Sequence, residues 1–389
     1  MLSKNFSLGV AIIIIVLAIF YIESNKSEQP VRKRAENIAV TKVVDTEVST
    51  SSTSLVPQIG VNLKKVTQKI DDRRKILEEK ALKYPPAIEI IPGGKFINTD
   101  SFSLKQFIGK KVILVDFWTY SCINCLRTLP YLNSWYSKYK DKGFIIVGVH
   151  TPEFDFEKDY NNVVKATKDL GVEYPVVQDN DYATWSAYQN RYWPHEYLID
   201  IDGYIVDDHI GEGGYADTET AIQKALDERV TVLGLDKLDQ IPVVTPSGVV
   251  AVDSSRVGSP EMYFGSARNE YLGSGTIGTI GFQALDIPND LEINKIYLGG
   301  NWNFQRQFAQ NKSANAEIDL KYNSKSVYFV GSSDEGVNVT IYLDGKRVKN
   351  INVKDNKLYN IINGTDYGVH IVKMIVDKPG LRAFTFTFG

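Results

Sequence analysis

The chain has 389 residues, of which 43% are hydrophobic, and a formal net charge of -3 at neutral pH. This is ordinary globular material, enough for two domains, and its near balance of charge gives no indication of nucleic-acid binding. Cys122 and Cys125 are its only cysteines, which excludes a disulfide scaffold and a four-cysteine zinc site and leaves one dithiol. No metal is expected, and no cofactor apart from a disulfide that these two residues could form.

The first apolar segment lies at the N-terminus. Residues 5–22 carry no charge and are dominated by Ile, Leu, Val, Ala and Phe, and at roughly 1.5 Å per residue they nearly cross a hydrocarbon core of about 30 Å. Phe20-Tyr21-Ile22 lacks the small residues of a cleavage site, so we predict a retained single transmembrane helix over residues 1–22. The basic residues Lys26 and Arg32-Lys33-Arg34 favour an outward N-terminus, which conflicts with the extracytoplasmic location predicted below.

Residues 23–86 are predicted to be a disordered tether followed by a spacer helix. The tether, up to about residue 61, is polar and rich in Ser and Thr, a composition that cannot bury a core. Apolar residues then recur at helical spacing from Leu63 to Lys83, until Pro85-Pro86 ends the pattern. A solvated spacer is the favoured interpretation of this helix, and a helix lying on anionic lipid is the alternative.

Short apolar runs alternate with helical patterns over residues 87–232, which predicts an α/β domain whose sheet has helices on both faces. The predicted strands are Ala87–Ile91, Lys111–Trp118, Phe144–His150, Pro175–Gln178, Glu196–Asp200 and Tyr204–Ile210. The predicted helices are Ser103–Ile108, Cys122–Lys140, Glu157–Leu170, Tyr182–Tyr188 and Ala216–Val230.

The dithiol lies where the second of these strands gives way to a helix. A helix N-terminus offers Cys122 unpaired backbone N–H groups and the positive end of the helix dipole, which favour the thiolate that attacks disulfides. Cys125 follows one turn later, close enough to attack a mixed disulfide formed by Cys122 and to close a ring disulfide. The spacing therefore predicts a two-step redox cycle.

Two further residues fit that cycle. Asp116 lies six residues before Cys122 in an apolar strand, where a buried carboxylate with a raised pKa could accept the Cys125 proton. Pro130 lies inside the helix and should kink it. The alternatives are a core aspartate whose hydrogen bonds are satisfied and a proline that occurs near the helix end by chance. Because both residues occur together with the dithiol, these alternatives are the weaker interpretation.

The string Phe117 to Leu132, FWTYSCINCLRTLPYL, together with Asp116, resembles thioredoxin-fold oxidoreductases, and more narrowly the extracytoplasmic thioredoxin-like domain of the DipZ type. The resemblance implies that the Trp193-Pro194 bond is cis, that it packs beside Cys122, and that the Trp193 backbone binds the client, meaning the protein whose disulfide is exchanged. Trp118 is predicted to join Trp193 and Pro194 in binding the client. The long insert before Pro194 resembles the redoxin-like branch of the fold.

Three polar residues near these motifs have two interpretations each. His150 and Glu153 follow the strand beside the dithiol strand, and His195 follows Pro194. A proton relay is one interpretation, but a surface or loop role is favoured because spacing alone fixes no geometry.

The composition changes at residues 233–258, which are rich in Gly, Ser, Val and Pro and are predicted to be a linker. Beyond them Val337–Leu343 alternates with period two, Asp344-Gly345 offers a hairpin turn, and Phe384, Phe386 and Phe388 alternate to the end, which predicts a β-sandwich over residues 259–389. The segments SPEMYFGSAR (residues 259–268) and AFTFTFG (383–389) resemble the DipZ-type C-terminal domain, a jelly roll similar to carbohydrate-binding modules. DipZ-type proteins carry a multi-span electron-delivering domain where this chain has one apolar segment, which leaves its electron donor open.

The aromatic residues Tyr297, Trp302 and Phe304 are candidates for stacking on a cell-envelope glycan. Aromatic residues at these spacings are more often sandwich core, and that interpretation is favoured. Three Asn-x-Ser/Thr patterns, at Asn311, Asn338 and Asn363, are consistent with chance.

We therefore predict a membrane-anchored extracytoplasmic thiol–disulfide oxidoreductase that reduces protein disulfides. Cys122 attacks, Cys125 resolves, Asp116 takes the proton, and a membrane donor supplies electrons. The alternatives are a glycan-binding envelope protein with a spectator dithiol and a thiol peroxidase, although a two-cysteine turn suits disulfide exchange better.

Overall fold

The computed structural model describes residues 56–239 and 241–389. Within these ranges no helix combines the length and the apolar character needed to cross a bilayer. The anchor predicted for residues 1–22 and most of the predicted tether lie outside the described residues. Asp72–Gly389 form one compact unit.

The first described helix, α1 (Val56–Lys83), ends two residues before Pro85-Pro86, as predicted, but begins earlier than Leu63. Its last turns are not simply solvated. Lys80 Nζ lies 2.5 Å from Asp200 Oδ2 and 2.8 Å from Asp202 Oδ2, so the helix end is bonded to the α/β domain. The prediction of a purely solvated spacer is therefore wrong for these turns.

A six-stranded sheet carries the dithiol. Its order is β1-β4-β3-β2-β5-β6, with β2, β3 and β4 parallel to one another and the other strands antiparallel to their neighbours. The strands are β1 (Phe96–Ile97), β2 (Val112–Trp118), β3 (Phe144–His150), β4 (Val176–Gln178), β5 (His195–Ile199) and β6 (Ile205–Ile210). The helices of this domain are α2 (Ile123–Tyr139), α3 (Tyr160–Asp169), α4 (Ala183–Ala187) and α5 (Tyr215–Leu233).

Both faces of this sheet are covered, which explains why β2 is almost continuously apolar. Val112 and Leu114 face α2 and α5 in one core, whereas Ile113, Val115 and Phe117 enter a second core on the opposite face. Alternate β2 side chains therefore point into different cores, and those of even number point towards the dithiol helix.

Three predicted elements differ in the structure. Residues 87–91 are not a strand. Ala87 N donates to Gly203 O, but beyond it the Tyr188 hydroxyl donates to Ile88 O and Thr184 Oγ1 accepts from Ile91 N, so side chains take over from a neighbouring strand. The helix predicted at Ser103–Ile108 is a 3₁₀ turn over Leu104–Gln106. The helix predicted at Glu157–Leu170 is divided into a 3₁₀ turn and α3, because Asp159 caps α3 through its side chain.

The C-terminal region is β-rich. Eight strands follow the path β13-β12-β14-β11-β15-β10-β9-β8, and β7 pairs with β15. They are β7 (Met262–Tyr263), β8 (Gly281–Leu285), β9 (Lys295–Phe304), β10 (Ala309–Asn311), β11 (Ala316–Ser332), β12 (Val337–Leu343), β13 (Lys346–Val353), β14 (Lys357–Val376) and β15 (Arg382–Phe388). The predicted strand Val337–Leu343 and its Asp344-Gly345 hairpin turn are confirmed.

The aromatic residues considered for glycan stacking lie inside this region. Trp302 and Phe304 are fully buried in its apolar core, and Tyr297 is also buried. Their ring faces are covered by protein, so they cannot stack on a sugar. The core interpretation is confirmed for these three residues.

A small apolar cluster joins the two regions. The Phe384 ring of β15 lies 5.1 Å from the Phe154 ring and 4.9 Å from the Phe156 ring, both from the loop after β3. Edge-to-face geometry at these distances is favourable for aromatic pairs. The C-terminal region is therefore packed against the loop that flanks the dithiol.

Candidate active site

The two cysteines differ sharply in exposure. Cys122 is the N-cap residue of α2 and is partly exposed, whereas Cys125, one turn into the helix, is 1% exposed. Both are free thiols in this structure. Solvent and partners can therefore reach Cys122, while Cys125 can be reached only through it.

Burial is the main cause that raises the pKa of the Cys125 thiol well above its usual range. The hydrogen bond with Cys122 and the negative charges of Cys122 and Asp116 raise it further. Cys125 therefore remains protonated at rest and needs a base in order to become a nucleophile.

Asp116 is the nearest candidate for that base. It is completely buried on β2, and neither of its carboxylate oxygens has a hydrogen-bond partner in the described part of the chain. Burial raises its pKa to about 8, close to the pH at which a base would work. An unpartnered buried carboxyl group costs stability, so its presence beneath the dithiol indicates a chemical role.

The Trp193-Pro194 segment lies beside Cys122, and its peptide bond is cis. The carbonyl oxygen of Trp193 is 3.8 Å from Cys122 Sγ, which places the backbone of this segment at the exposed sulfur. The indole of Trp193 donates to Thr151 O at 3.1 Å and packs on Trp185. The Trp193 side chain thus anchors the segment to the domain, and the Trp193 backbone carbonyl faces the dithiol.

Trp118 is not available to a client, contrary to the prediction. It is 1% exposed, and its ring packs edge-on against His150. It is one of the even-numbered side chains of β2, which point into the core beneath α2 and not towards the surface.

The three uncertain polar residues have different surroundings. His150 is fully buried, and burial lowers its pKa to about 3, so it is a neutral core group stacked on Tyr120. His195 is held by Asn190, Tyr197 and Asp208. Neither arrangement forms a relay to the dithiol.

Glu153 instead lines a cleft at the dithiol. The cleft has a volume of about 520 Å³, and Cys122, Arg127 and Trp193 form one wall. Tyr263 and Arg268 of the C-terminal region form part of the opposite wall. Both regions of the chain therefore enclose the exposed sulfur.

Direct hydrogen bonds hold the two walls together. Glu153 Oε1 accepts from the Tyr263 hydroxyl at 2.7 Å and from Arg268 Nη1 at 2.8 Å. Glu261 accepts from the same Tyr263 hydroxyl, and burial together with the charge of Glu153 raises its pKa to about 7. No sequence pattern indicates this contact, because it joins residues more than a hundred positions apart.

A second buried carboxyl group accompanies Asp116 and was missed from the sequence. Glu196 of β5 lies opposite Asp116 in the antiparallel register, is 1% exposed, and has no hydrogen-bond partner for either oxygen within the described ranges. The sequence pattern that identified Asp116, a charged residue beside a run of apolar strand residues, also applies to Glu196.

Asp200, Asp202 and Glu228 are close enough to one another to share a cation. The Lys80 ammonium group bonds all three, so a protein cation already compensates their charge. This cluster holds the end of α1.

Comparison with known families agrees with this geometry. A family model described as "Thioredoxin-like" matches residues 109–205, and one described as "Thioredoxin like C-terminal domain" matches residues 259–389. Protein DipZ of Mycobacterium bovis is 37% identical over 300 residues, which are 77% of this chain but 41% of the relative. The chain therefore spans less than half the length of DipZ.

Two shorter relatives match the dithiol domain. Thiol-disulfide oxidoreductase YkuV of Bacillus subtilis is 29% identical over 124 residues, covering 32% of this chain and 83% of the relative. Thiol-disulfide oxidoreductase ResA of Bacillus thuringiensis is 34% identical over 121 residues, covering 30% of this chain and 66% of the relative. With its dithiol at a helix N-terminus above a buried carboxyl group, the domain at residues 109–205 is thioredoxin-like, and the chain is similar to DipZ and, over this domain, to these two thiol-disulfide oxidoreductases.

Proposed function

We propose that the chain reduces disulfides of client proteins through Cys122 and Cys125. The Cys122 thiolate attacks a client disulfide, forms a mixed disulfide and displaces one client thiolate. Cys125 then loses its proton to Asp116 and attacks Cys122 Sγ, which closes the Cys122–Cys125 disulfide and releases the second client thiolate. The two electrons lost by the dithiol are gained by the client.

The difference in exposure between the two cysteines is the observation that supports these roles. Cys122 is accessible at a helix N-terminus, and Cys125 is buried within one turn of it. An attacking thiol must reach a partner, whereas a resolving thiol needs only to reach the mixed disulfide.

The cleft supports a protein client. The Trp193 carbonyl beside Cys122 is a backbone acceptor for an extended client segment. Tyr263 and Arg268 restrict access from the other side, so the C-terminal region takes part in client selection. The jelly-roll fold inferred for this region and its binding of a cell-envelope glycan stay predictions, and the three aromatic residues considered for stacking on the glycan are buried.

The location and the electron supply rest on the sequence. The apolar residues 5–22 support a membrane anchor, with the domains on the extracytoplasmic side and a membrane protein as electron donor. The reducing direction rests on Asp116, because a base that helps Cys125 attack favours release of reduced client. A measured potential near −120 mV, the range of strong oxidants, would contradict that direction.

Insulin reduction by the purified full chain tests this function. The parent should cleave insulin disulfides, Cys122→Ser should be inactive, and Cys125→Ser should accumulate a mixed disulfide on Cys122 that denaturing gels without reductant can trap. An inactive parent would refute the proposal, as would a Cys122→Ser variant that retains activity.

A further inference from the structure

Three titratable side chains occupy neighbouring positions in one transverse row of the six-stranded sheet. Asp116 of β2 is in register with Glu196 of β5, and Glu196 is in register with His209 of β6. Registered neighbours on antiparallel strands point to the same face, with Cβ atoms about 4.5–5.5 Å apart. The row therefore runs from the floor of the dithiol site to the outermost strand.

Each of these side chains has buried polar atoms without a partner. Both oxygens of Asp116, both oxygens of Glu196, and Nε2 of His209 lack a hydrogen bond within residues 56–239 and 241–389. Buried polar groups are normally satisfied, and each exception needs a cause. Three exceptions at adjacent positions indicate one shared cause.

The row has one open direction. On the other side of Asp116 the registered position of β3 is Gly148, where a Cβ atom would lie 2.9 Å from Trp118 Nε1, so the row is blocked there by the indole. On the side of Glu196 it continues to His209, which is half-buried on the edge strand β6. A group at Asp116 can therefore communicate with solvent only along β5 and β6 within this row.

The protonation states explain why such a connection matters. Burial, followed by the charges of Asp116 and Asp207, raises the pKa of Glu196 well above its usual range, and burial raises that of Asp116 to about 8. Asp116 therefore holds its proton at neutral pH, and the raised pKa of Glu196 favours its protonated form. A protonated Asp116 cannot take the proton of Cys125, so the site needs a route by which Asp116 loses its proton.

The other titratable groups facing the row do not offer that route. Tyr174, Tyr215 and Cys125 adjoin the two acids, and burial is the largest cause that raises the pKa of each. They therefore hold their protons firmly and are poor acceptors for a proton that leaves Asp116. Asp207 of β6 is exposed and is in register with Leu198, two residue pairs along from the row.

We propose that Asp116, Glu196 and His209 form a lateral proton path that connects Cys125 with solvent at the edge of the sheet. Glu196 and His209 act here as positioning residues, because neither touches the reacting sulfurs. A carboxylic acid relays a proton by accepting one on one oxygen and releasing another from its second oxygen, and an imidazole does the same through its two nitrogens.

The step balances as follows. Before resolution, a proton leaves Asp116 through Glu196 and His209 to solvent. The S–H bond of Cys125 then breaks and the proton passes to Asp116, while the Cys125–Cys122 bond forms and the Cys122–client bond breaks. The bonding electron pair leaves with the client sulfur, which takes a proton from solvent. Side-chain rotations bring the row members together, since no hydrogen bond joins them at rest.

This proposal rests on the proposed function, and a single-turnover experiment separates the two. The reduced full chain is mixed with an aromatic disulfide whose thiolate absorbs visible light. Attack by Cys122 should release one thiolate, and resolution by Cys125 should release a second in a slower phase. Failure to see either phase contradicts the proposed function, whereas the lateral path concerns the second phase alone.

Glu196→Gln should slow the second phase by about tenfold or more across pH 6–9 and leave the first unchanged, because positioned proton transfer contributes roughly 10²–10⁴-fold. Glu219→Gln is the matched control, since Glu219 is another buried glutamate of this domain but bonds Lys138 and Tyr139 outside the row. The control should keep both phases within twofold. A second phase equally fast in both variants would overturn the proposal.

His209→Ala tests the outer end of the path without changing the core. Its second phase should be slow, and added imidazole should restore the rate by replacing the missing side chain. The same imidazole should not restore Glu196→Gln, where the break lies inside the sheet. A His209→Ala variant with an unchanged second phase would overturn the proposal even if Glu196→Gln fails to fold.

Discussion

One buried polar side chain of the dithiol domain and one of the C-terminal region have opposite surroundings. In the C-terminal region, the buried Asn311 donates to Ser313 O and Lys378 O and accepts from the backbone of Gly380 and Leu381. In the dithiol domain, Asp116 is equally buried and makes no hydrogen bond among the described residues. Asn311 therefore stabilises the fold, whereas Asp116 costs stability, a cost that the proposed function explains by its role as the base for Cys125.

The largest effect should come from the contact between the two regions. Phe384→Ala removes the ring that packs on Phe154 and Phe156, and we expect a loss of about 3–5 kcal/mol in the free energy of unfolding. Urea denaturation measures it. Phe282→Ala is the control, because Phe282 lies in the same region with 62% exposure and should change stability by less than about 0.5 kcal/mol. Equal effects in the two variants would show that the cluster does not join the regions.

Asn311→Ala should come next. It leaves the Leu381 N–H and two carbonyl groups without their partner, whereas the Gly380 N–H keeps its bond to the backbone carbonyl of residue 311. We expect a loss of roughly 2–4 kcal/mol, since each unsatisfied buried group costs about 1–3 kcal/mol and solvent can reach some of them. Thermal unfolding followed by circular dichroism measures the loss. A change below about 0.5 kcal/mol would contradict the role assigned to Asn311.

Asp116→Asn should show the smaller effect, with the opposite sign. We expect this variant to be more stable than the parent by about 1–3 kcal/mol at pH 7, and to resolve the mixed disulfide more slowly. The pKa of Asp116 is about 8 in the folded chain, whereas the ordinary pKa of an aspartate, expected in the unfolded chain, is 3.8. The folded state thus holds a proton that the unfolded state loses.

The sign of the pH dependence follows from this difference. Stability contributed by protonated Asp116 is fully present below about pH 4 and declines as pH rises towards 8, because only the unfolded chain ionises in that window. The advantage of Asp116→Asn over the parent should therefore grow from pH 4 to pH 8. Denaturant titrations at several pH values measure it, and a difference that is constant with pH would contradict the raised pKa.

Much of the dithiol site was predictable because its signals are local. Cys122, Cys125 and Asp116 are identified by spacing within one strand and one helix turn, and the hairpin at Asp344-Gly345 is identified by alternation and a turn pair. Glu196 and His209 were missed because strand register, which places them beside Asp116, is not visible along the chain. Trp118 was misplaced because the predicted strand gave no indication of which face meets the helix.

The strand predicted at Ala87–Ile91 failed for a related reason. Ala87, Ile88 and Ile90 do pack on the sheet, but the hydroxyl groups of Tyr188 and Thr184 take the place of a neighbouring strand. Hydrophobic periodicity reports burial, and it does not report which group satisfies the backbone. The walls of the cleft were unpredictable too, since Tyr263 and Glu153 meet only in the folded chain.

The shared bond between Glu153 and the Tyr263–Arg268 pair has a consequence for how such proteins diversify. Exchange of the C-terminal segment between homologues would leave the two cysteines unchanged and replace one wall of the cleft that the proposed client must enter. Recombination could thus redirect an existing catalyst to new targets without altering its reactive centre, provided that the incoming segment preserves the two donors to Glu153.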